Sequence, residues 1–158
     1  MSEPGSAPAT YQQWLDALSE LKTQPFDAER RSRLSTGTLP GPCSPMMVSH
    51  ISDTVSVLLS RQCRDLLHRM DLALAEGDLD QLRLSVIRFR GRVLACLFYR
   101  RLRFLSQEDR QILEDGFTRQ VLDFWKDLLQ QMERDARRGG SPLLEEGLYV
   151  LKRMKILT

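Results

Sequence analysis

The chain has 158 residues, 42% of them apolar and 28% charged, with a formal net charge of +2. This length supports one ordinary domain that buries roughly 70% of the surface of its unfolded chain, and the composition is too apolar for a disordered protein. No apolar run approaches the ~20 residues of a membrane span, and the three cysteines, Cys43, Cys63 and Cys96, lack the spacing of zinc ligands or of a disulfide scaffold.

The N-terminal residues carry neither the positive nor the apolar region of an ordinary secretory signal. We therefore expect an intracellular protein that does not associate with membranes. Residues 1–45 are predicted to form a short helix and a Pro-rich connection, because six of the seven prolines lie there. The helix runs from about Tyr11 to Lys22 with Thr10 as its N-cap, and residues 27–34 have room for one or two further turns.

Residues 46–140 are predicted to be the helical core. Its first long helix begins near Ser44 or Pro45 and ends at Gly77, with apolar residues over about half of the helical wheel. Gly77 is a typical C-terminal stop and Asp78 a typical N-cap, so the next helix is expected to fold back antiparallel.

The third predicted helix extends from about Leu79 to Leu105. Apolar residues cover about two-thirds of its wheel, which is more than a helix packed on one side needs. We therefore expect it to be the central helix, enclosed on several sides. Gly91 within it marks either a kink or the close approach of a neighbouring backbone.

The fourth helix is predicted to begin at the capping box that runs from Ser106 to Asp109 and to end before residues 139–142, Gly-Gly-Ser-Pro. In the tail, residues 141–158, the segment Leu148 to Leu157 fits either a strand or a short helix. The predicted fold is all-α: an antiparallel bundle of four main helices with a Pro-rich N-terminal loop and a short C-terminal strand or helix.

Positive charge is concentrated in the third helix. Its arginines form a run without any acidic residue: Arg83, Arg88, Arg90, Arg92, Arg100, Arg101 and Arg103. On the helical wheel, Arg88, Arg92 and Arg103 share a narrow polar face. The arginines at positions 83, 90 and 101 instead project from within the apolar arc. A cation there needs an acidic partner or a route to water.

Three interpretations of these arginines are open: a solvated basic face, a protein interface, or a nucleic-acid-binding face that uses Arg88, Arg92 and Arg103. An interface is favoured, because the wide apolar arc exceeds what the chain's own core requires and arginine is enriched at interfaces. Phosphate binding is less favoured, because the arginines are spread around the wheel and the net charge is nearly zero. A generic helical adaptor or chaperone is a further alternative.

The sequence contains no pattern typical of catalysis. His50 and His68 are its only histidines, and on one helix they lie about 27 Å apart, too far to share a metal. No Gly-rich phosphate loop, nucleophile elbow or zinc-protease motif occurs. We predict no catalytic, cofactor-binding or metal-binding residues, no cofactor, and no enzymatic activity.

The run from Leu82 to Leu113 resembles the helical domain of the GINS DNA-replication complex subunits. The resemblance lies in a long basic helix with Arg92, then Ala95-Cys96, Tyr99 and Arg101-Leu102, followed by the acidic helix start at residues 106–109. This run is about a fifth of the chain.

The resemblance implies a non-catalytic subunit of an assembly of the replicative helicase machinery, with other protein subunits as partners and a nuclear location if the organism is eukaryotic. The family's small β-domain does not fit in the 16 residues after Pro142. The resemblance therefore implies either a truncated form or a divergent short member, with residues 148–157 as a remnant of the first strand of that domain.

Overall fold

The computed structural model describes residues 6–139 and 142–157. These residues contain no β-strand, so the predicted all-α class is confirmed. They form six α-helices and one 3₁₀ helix, Phe98–Arg101: α1 (Tyr11–Thr23), α2 (Ala28–Ser35), α3 (Pro45–Glu76), α4 (Leu79–Ala95), α5 (Gln107–Arg137) and α6 (Pro142–Lys152).

The chain divides into two compact units. The first unit takes the residues up to Leu58 together with Ala95–Phe117, and the second takes Leu59–Leu94 and the residues from Thr118 onward. The long helices α3 and α5 therefore contribute residues to both units. Almost all of α4, and all of α6, belong to the second unit.

The helix starts follow the predicted N-caps. At each of four of them a side-chain oxygen accepts a hydrogen bond from the backbone N–H three residues later, at 3.0 to 3.2 Å: Thr10, Ser44, Asp78 and Ser106. Asp27 caps α2 in the same way at 2.9 Å, so the short helix expected there is confirmed. Each cap satisfies a donor that the first turn of a helix leaves unpaired.

The predicted turn between α3 and α4 is confirmed. Gly77 adopts a left-handed conformation with φ +73°, and the Asp78 N–H donates to the Ala73 carbonyl at 2.9 Å, which is the geometry of a glycine-terminated helix. Arg92 reaches Asp65 at 2.6 Å. Because these residues lie on either side of the turn at similar distances along the chain, the pairing shows that α3 and α4 run antiparallel there.

The predicted third helix is wrong in its length, since α4 ends at Ala95 and not at Leu105. The four residues that follow α4, Cys96 to Tyr99, are all buried. Consecutive residues of an α-helix point 100° apart, so a helix packed on one side cannot bury four in a row. The chain instead leaves the helix and turns these side chains into the core of the first unit as a 3₁₀ helix and a turn.

The expectation of an enclosed central helix is also wrong. Within α4 the side chains that the structure buries form one stripe at helical spacing: Leu82, Ser85, Val86, Phe89 and Val93. The wide apolar arc arose because residues 96–105 were placed on the same wheel, although they follow the end of α4. The helix proper buries a single face.

Aromatic side chains form the core of the first unit. The Trp14 ring is fully buried and meets the Phe104 ring edge-on at 5.0 Å, while its indole N–H donates to the Thr38 carbonyl at 2.8 Å. Phe98 in the 3₁₀ helix packs edge-on against Phe26 at 5.8 Å. The segment that was expected to continue the third helix therefore supplies the centre of this unit.

Of the C-terminal segment Leu148 to Leu157, the first five residues lie in α6, which begins at Pro142 and ends at Lys152, and the rest is neither helix nor strand. The strand alternative is therefore wrong, and the helix alternative is confirmed for residues 148–152. The buried residues of α6 are Gly147 and Leu151, which lie one turn apart on one face. A Cβ on Gly147 would lie 3.0 Å from Leu82 Cδ2, so glycine permits the close approach of α6 to α4.

Candidate interaction surface

The seven predicted arginines do not lie on one helix. Four of them are on α4 in the second unit, at positions 83, 88, 90 and 92, and the other three belong to the first unit. Arg100 and Arg101 lie in the 3₁₀ helix, and Arg103 lies in the turn that follows it. The predicted shared face of Arg88, Arg92 and Arg103 is therefore wrong, because α4 ends before residue 103.

Three of these arginines pair with carboxylates: Arg83 with Asp80 at 3.8 Å, Arg92 with Asp65, and Arg100 with Glu114. Among residues 6–139 and 142–157, no carboxylate oxygen lies within 4 Å of the other four, Arg88, Arg90, Arg101 and Arg103. All seven side chains are exposed except that of Arg90, which is half-buried. Most of these cations therefore reach water, and fewer than half have an acidic partner.

Arg100 has a structural role. Its Nη2 donates to Glu114 Oε2 at 3.0 Å and its Nε donates to the other carboxylate oxygen, so the guanidinium holds the 3₁₀ helix against α5. These hydrogen bonds hold the pKa of Glu114 below its ordinary value. Burial of the neighbouring Tyr99, with the Glu114 carboxylate beside it, raises the pKa of the phenol. The phenol is therefore neutral at physiological pH.

A second face of α4 carries apolar side chains that are more than half exposed. Ile87 is 54% exposed and Leu94 is 59% exposed, and they lie seven residues apart, so they share one side of the helix. At 100° per residue, this side is centred about 130° away from the buried stripe. Arg83 and Arg90 lie on the same side, which makes the face both apolar and basic.

Four residues of this face are neighbours on the surface of α4, and one of them is a glycine. They occupy positions i, i+3, i+4 and i+7 of the helix, the set that forms a hole for a side chain of a facing helix: Ile87, Arg90, Gly91 and Leu94. Apart from its chain neighbours and the backbone of α4 itself, no atom lies within 4 Å of the place where a Cβ on Gly91 would stand. We refer to these four residues as the α4 hole.

Sequence reasoning missed the α4 hole. The sequence pattern assigns Ile87 and Leu94 to an enclosed apolar arc. At Gly91 it predicts either a kink or the close approach of a neighbouring backbone. The structure continues α4 through Gly91 to Ala95, and no neighbouring backbone comes close to the position of a Cβ on Gly91. The signal was present in the sequence: these residues lie outside the stripe that repeats from Leu82 to Val93.

No protein-family model matches this chain, and neither a curated protein nor a solved structure is significantly similar to it.

The first unit contains an open groove of about 510 Å³, lined by residues 35–39, Arg103 and Phe104. The hydroxyl groups of Ser35 and Thr36 donate to backbone carbonyls of α2, at 2.7 and 3.1 Å. The groove therefore offers one cation and one aromatic ring, without the converging donors that a built anion site contains.

In residues 6–139 and 142–157, no three His, Cys, Asp or Glu side chains lie close enough together to hold a metal ion. Over the same residues, no helix has both the length and the apolar character needed to span a bilayer. All three cysteines are free thiols, and burial raises the pKa of Cys63 to about 11. This thiol is therefore a protonated, apolar part of the core.

Proposed function

We propose that the protein is a non-catalytic structural subunit of a multi-protein assembly, and that it joins its partners through the α4 hole. The observation that carries the proposal is the pair Ile87 and Leu94, each more than half exposed on one side of a helix whose other side is buried. Complete burial of such a side chain stabilises a structure by about 1.5–3 kcal/mol relative to full exposure. Because each side chain is still about half exposed, a partner that covers it would gain roughly half of that free energy at each position.

The finer proposal is a GINS-like component of the replicative helicase machinery, located in the nucleus if the organism is eukaryotic. The resemblance of residues 82–113 supports it, and this run includes the whole α4 hole. One part of that support is removed, because residues 148–157, expected as a remnant of the first strand of a β-domain, contain no strand, and the first five of them lie in α6. The same proposal includes the predicted antiparallel bundle of four main helices, of which the α3–α4 hairpin is a part.

The test is to purify the full chain from its source organism and to determine mass and composition by light scattering and mass spectrometry. We expect a complex in which the 18.2 kDa chain is stoichiometric with other subunits. Leu94→Asp should release the chain from it. Leu72→Asp on α3, where the leucine is 50% exposed, is the matched control and should leave the complex intact. A monomeric chain without stoichiometric partners overturns the proposal.

A nucleic-acid-binding helical domain is the second candidate, favoured by the exposed Arg88, Arg101 and Arg103, which have no carboxylate within 4 Å in the described parts of the chain. Binding to phosphates predicts retention on a DNA or RNA column at low salt, with an affinity that falls steeply as salt rises. An absence of retention excludes this candidate. A generic adaptor or chaperone, in contrast, predicts binding to several unrelated proteins through the same α4 hole.

A further inference from the structure

We infer that the occupant of the α4 hole is an acidic amphipathic helix of a different chain, which seats a large apolar side chain over Gly91. The inference rests on the proposed function, since it names the chemistry of the partner at the surface through which the chain is proposed to assemble.

The shape of the α4 hole argues for a helix. Packed helices insert a side chain of one into a space between four residues of the other, at i, i+3, i+4 and i+7. In α4 the two ends of that space are Ile87 and Leu94, about 10.5 Å apart along the helix axis. Between them Gly91 has no side chain, and beyond α4's own backbone and the chain neighbours of Gly91 no atom lies within 4 Å of its Cβ position. A leucine-sized side chain of a partner therefore fits between these residues. Even an alanine at position 91 would reduce the space available to it.

The charge of the face argues for an acidic partner. Asp80, in the first turn, is the one acidic residue of α4, and from Gln81 to Gln107 the chain contains none, so the part of α4 around Arg90 brings only cations to this side. Arg90 has no carboxylate within 4 Å in the described residues, and the Asp80 that pairs with Arg83 at 3.8 Å is 94% exposed and weakly held. Glu or Asp side chains flanking the inserted apolar residue would form charge-assisted hydrogen bonds with both arginines.

The same charge argues against a second copy of this face. A two-fold contact would place Arg83 and Arg90 of one chain opposite the same residues of the other, and like charges repel. The apolar centre of the face argues against nucleic acid as the occupant. A phosphate would require hydrogen-bond donors at that place, where Ile87 and Leu94 offer none.

The probe is a three-heptad helical peptide with Leu at the a and d positions and Glu at the e and g positions, titrated against the full chain by fluorescence anisotropy. The matched probe has Lys in place of Glu. We expect the Lys peptide to bind at least about 10-fold more weakly, which corresponds to about 1.4 kcal/mol. Equal binding of the two peptides overturns the inference.

Gly91→Leu tests whether a partner side chain occupies the space over Gly91. Gly116→Leu is the control, since Gly116 is also a helical glycine with open space at its Cβ position. If a side chain sits over Gly91, Gly91→Leu weakens binding of the Glu peptide by about 10-fold or more and Gly116→Leu leaves it unchanged. If the face is only a general apolar patch, Gly91→Leu tightens binding and the inference is wrong. Circular dichroism should show that both variants keep the helical content of the parent.

Three further outcomes bear on the inference and separate its failure from that of the proposed function. Self-association that Leu94→Asp abolishes identifies a second copy as the occupant, and salt-sensitive DNA binding lost in Arg90→Ala identifies nucleic acid; each overturns the inference. A native complex that Leu94→Asp disrupts but Gly91→Leu does not, together with no binding of the Glu peptide, overturns the acidic helix while the proposed function stands.

Discussion

Arg92 on α4 donates a hydrogen bond to Asp65 on α3 at 2.6 Å, although 27 residues separate them in the chain. The same carboxylate oxygen accepts from Arg69, one turn further along α3, at 2.9 Å. One acid therefore serves two guanidinium groups and links the two helices of the hairpin. Arg92 is engaged in this way, so the cations of α4 that lie beside Ile87 and Leu94 are Arg83 and Arg90, while Arg88 is exposed on another side of the helix.

Replacing Asp65 with Asn tests this link. The side chains of Asp65 and Arg92 are 39% and 46% exposed, and pairs of this kind contribute about 0.2–1 kcal/mol each. We expect Asp65→Asn to lower the free energy of unfolding by about 1 kcal/mol in urea denaturation, with a smaller loss at high salt. Asp80→Asn is the control, because its ion pair is longer and more exposed, and an equal loss in that variant would contradict the prediction.

Gly37→Ala tests the packing of the first unit. A Cβ at this position would lie 2.4 Å from Trp14 Cζ2, which is part of a fully buried ring. The ring has to shift, and the hydrogen bond from its indole N–H to the Thr38 carbonyl lengthens. We expect a loss of about 1–3 kcal/mol in stability and a change in tryptophan fluorescence.

The matched variant for Gly37 is Gly116→Ala, where the added methyl group meets open space. That variant should be more stable than the parent by about 1 kcal/mol, because alanine is the better helix former. If Gly37→Ala also raised the stability, as is expected of Gly116→Ala, the Trp14 ring would not be tightly packed against Gly37.

Two glycines of the second unit are predicted to respond in opposite directions. Gly91→Ala should stabilise the protein by about 1 kcal/mol, since Gly91 lies inside α4 and has no neighbour. Gly147→Leu should destabilise it by about 1–3 kcal/mol, since the Cβ alone comes within 3.0 Å of Leu82 and 3.6 Å of Leu74. Thermal unfolding of both variants measures the two shifts, and a stabilised Gly147→Leu would refute the close packing of α6.

The helix starts and the hairpin turn were predictable because their causes are local. A capping side chain acts on a backbone N–H three residues away, and Gly77 ends α3 through its own left-handed conformation. Such interactions depend on short stretches of sequence. They are visible without knowledge of the tertiary structure.

The end of α4 was not predictable in this way. No glycine or proline follows Gly91 before residue 106, and the local pattern continues a helix. What ends the helix is packing with distant parts of the chain, since Phe98 meets Phe26 and Phe104 meets Trp14. The same error hid the α4 hole, because a helix extended to residue 105 appears apolar on most sides and leaves no separate exposed stripe.

The last prediction concerns the ion pair of Glu114 with Arg100. The hydrogen bonds from Arg100 lower the pKa of Glu114 in the folded protein below its ordinary value of 4.5. A lowered folded-state pKa means that the carboxylate stabilises the fold above pH 4.5, and that this contribution is lost as the pH falls through the folded-state pKa. We therefore expect Glu114→Gln to lower the free energy of unfolding at pH 7, by no more than about 1 kcal/mol because Arg100 is half exposed.

The difference in stability between the parent and Glu114→Gln should then narrow as the pH is lowered below 4.5. Urea denaturation at a series of pH values measures it. Glu133 has a pKa lowered by Lys152 and acts over the same pH range in both proteins, so it cancels from the difference. Glu145→Gln removes an exposed carboxylate that has no basic side chain within 4 Å in the described residues, and its difference from the parent should stay near zero throughout. If the difference in the free energy of unfolding between the parent and Glu114→Gln stayed unchanged at the lowest pH, Glu114 would stabilise the 3₁₀ helix by packing and not by its charge.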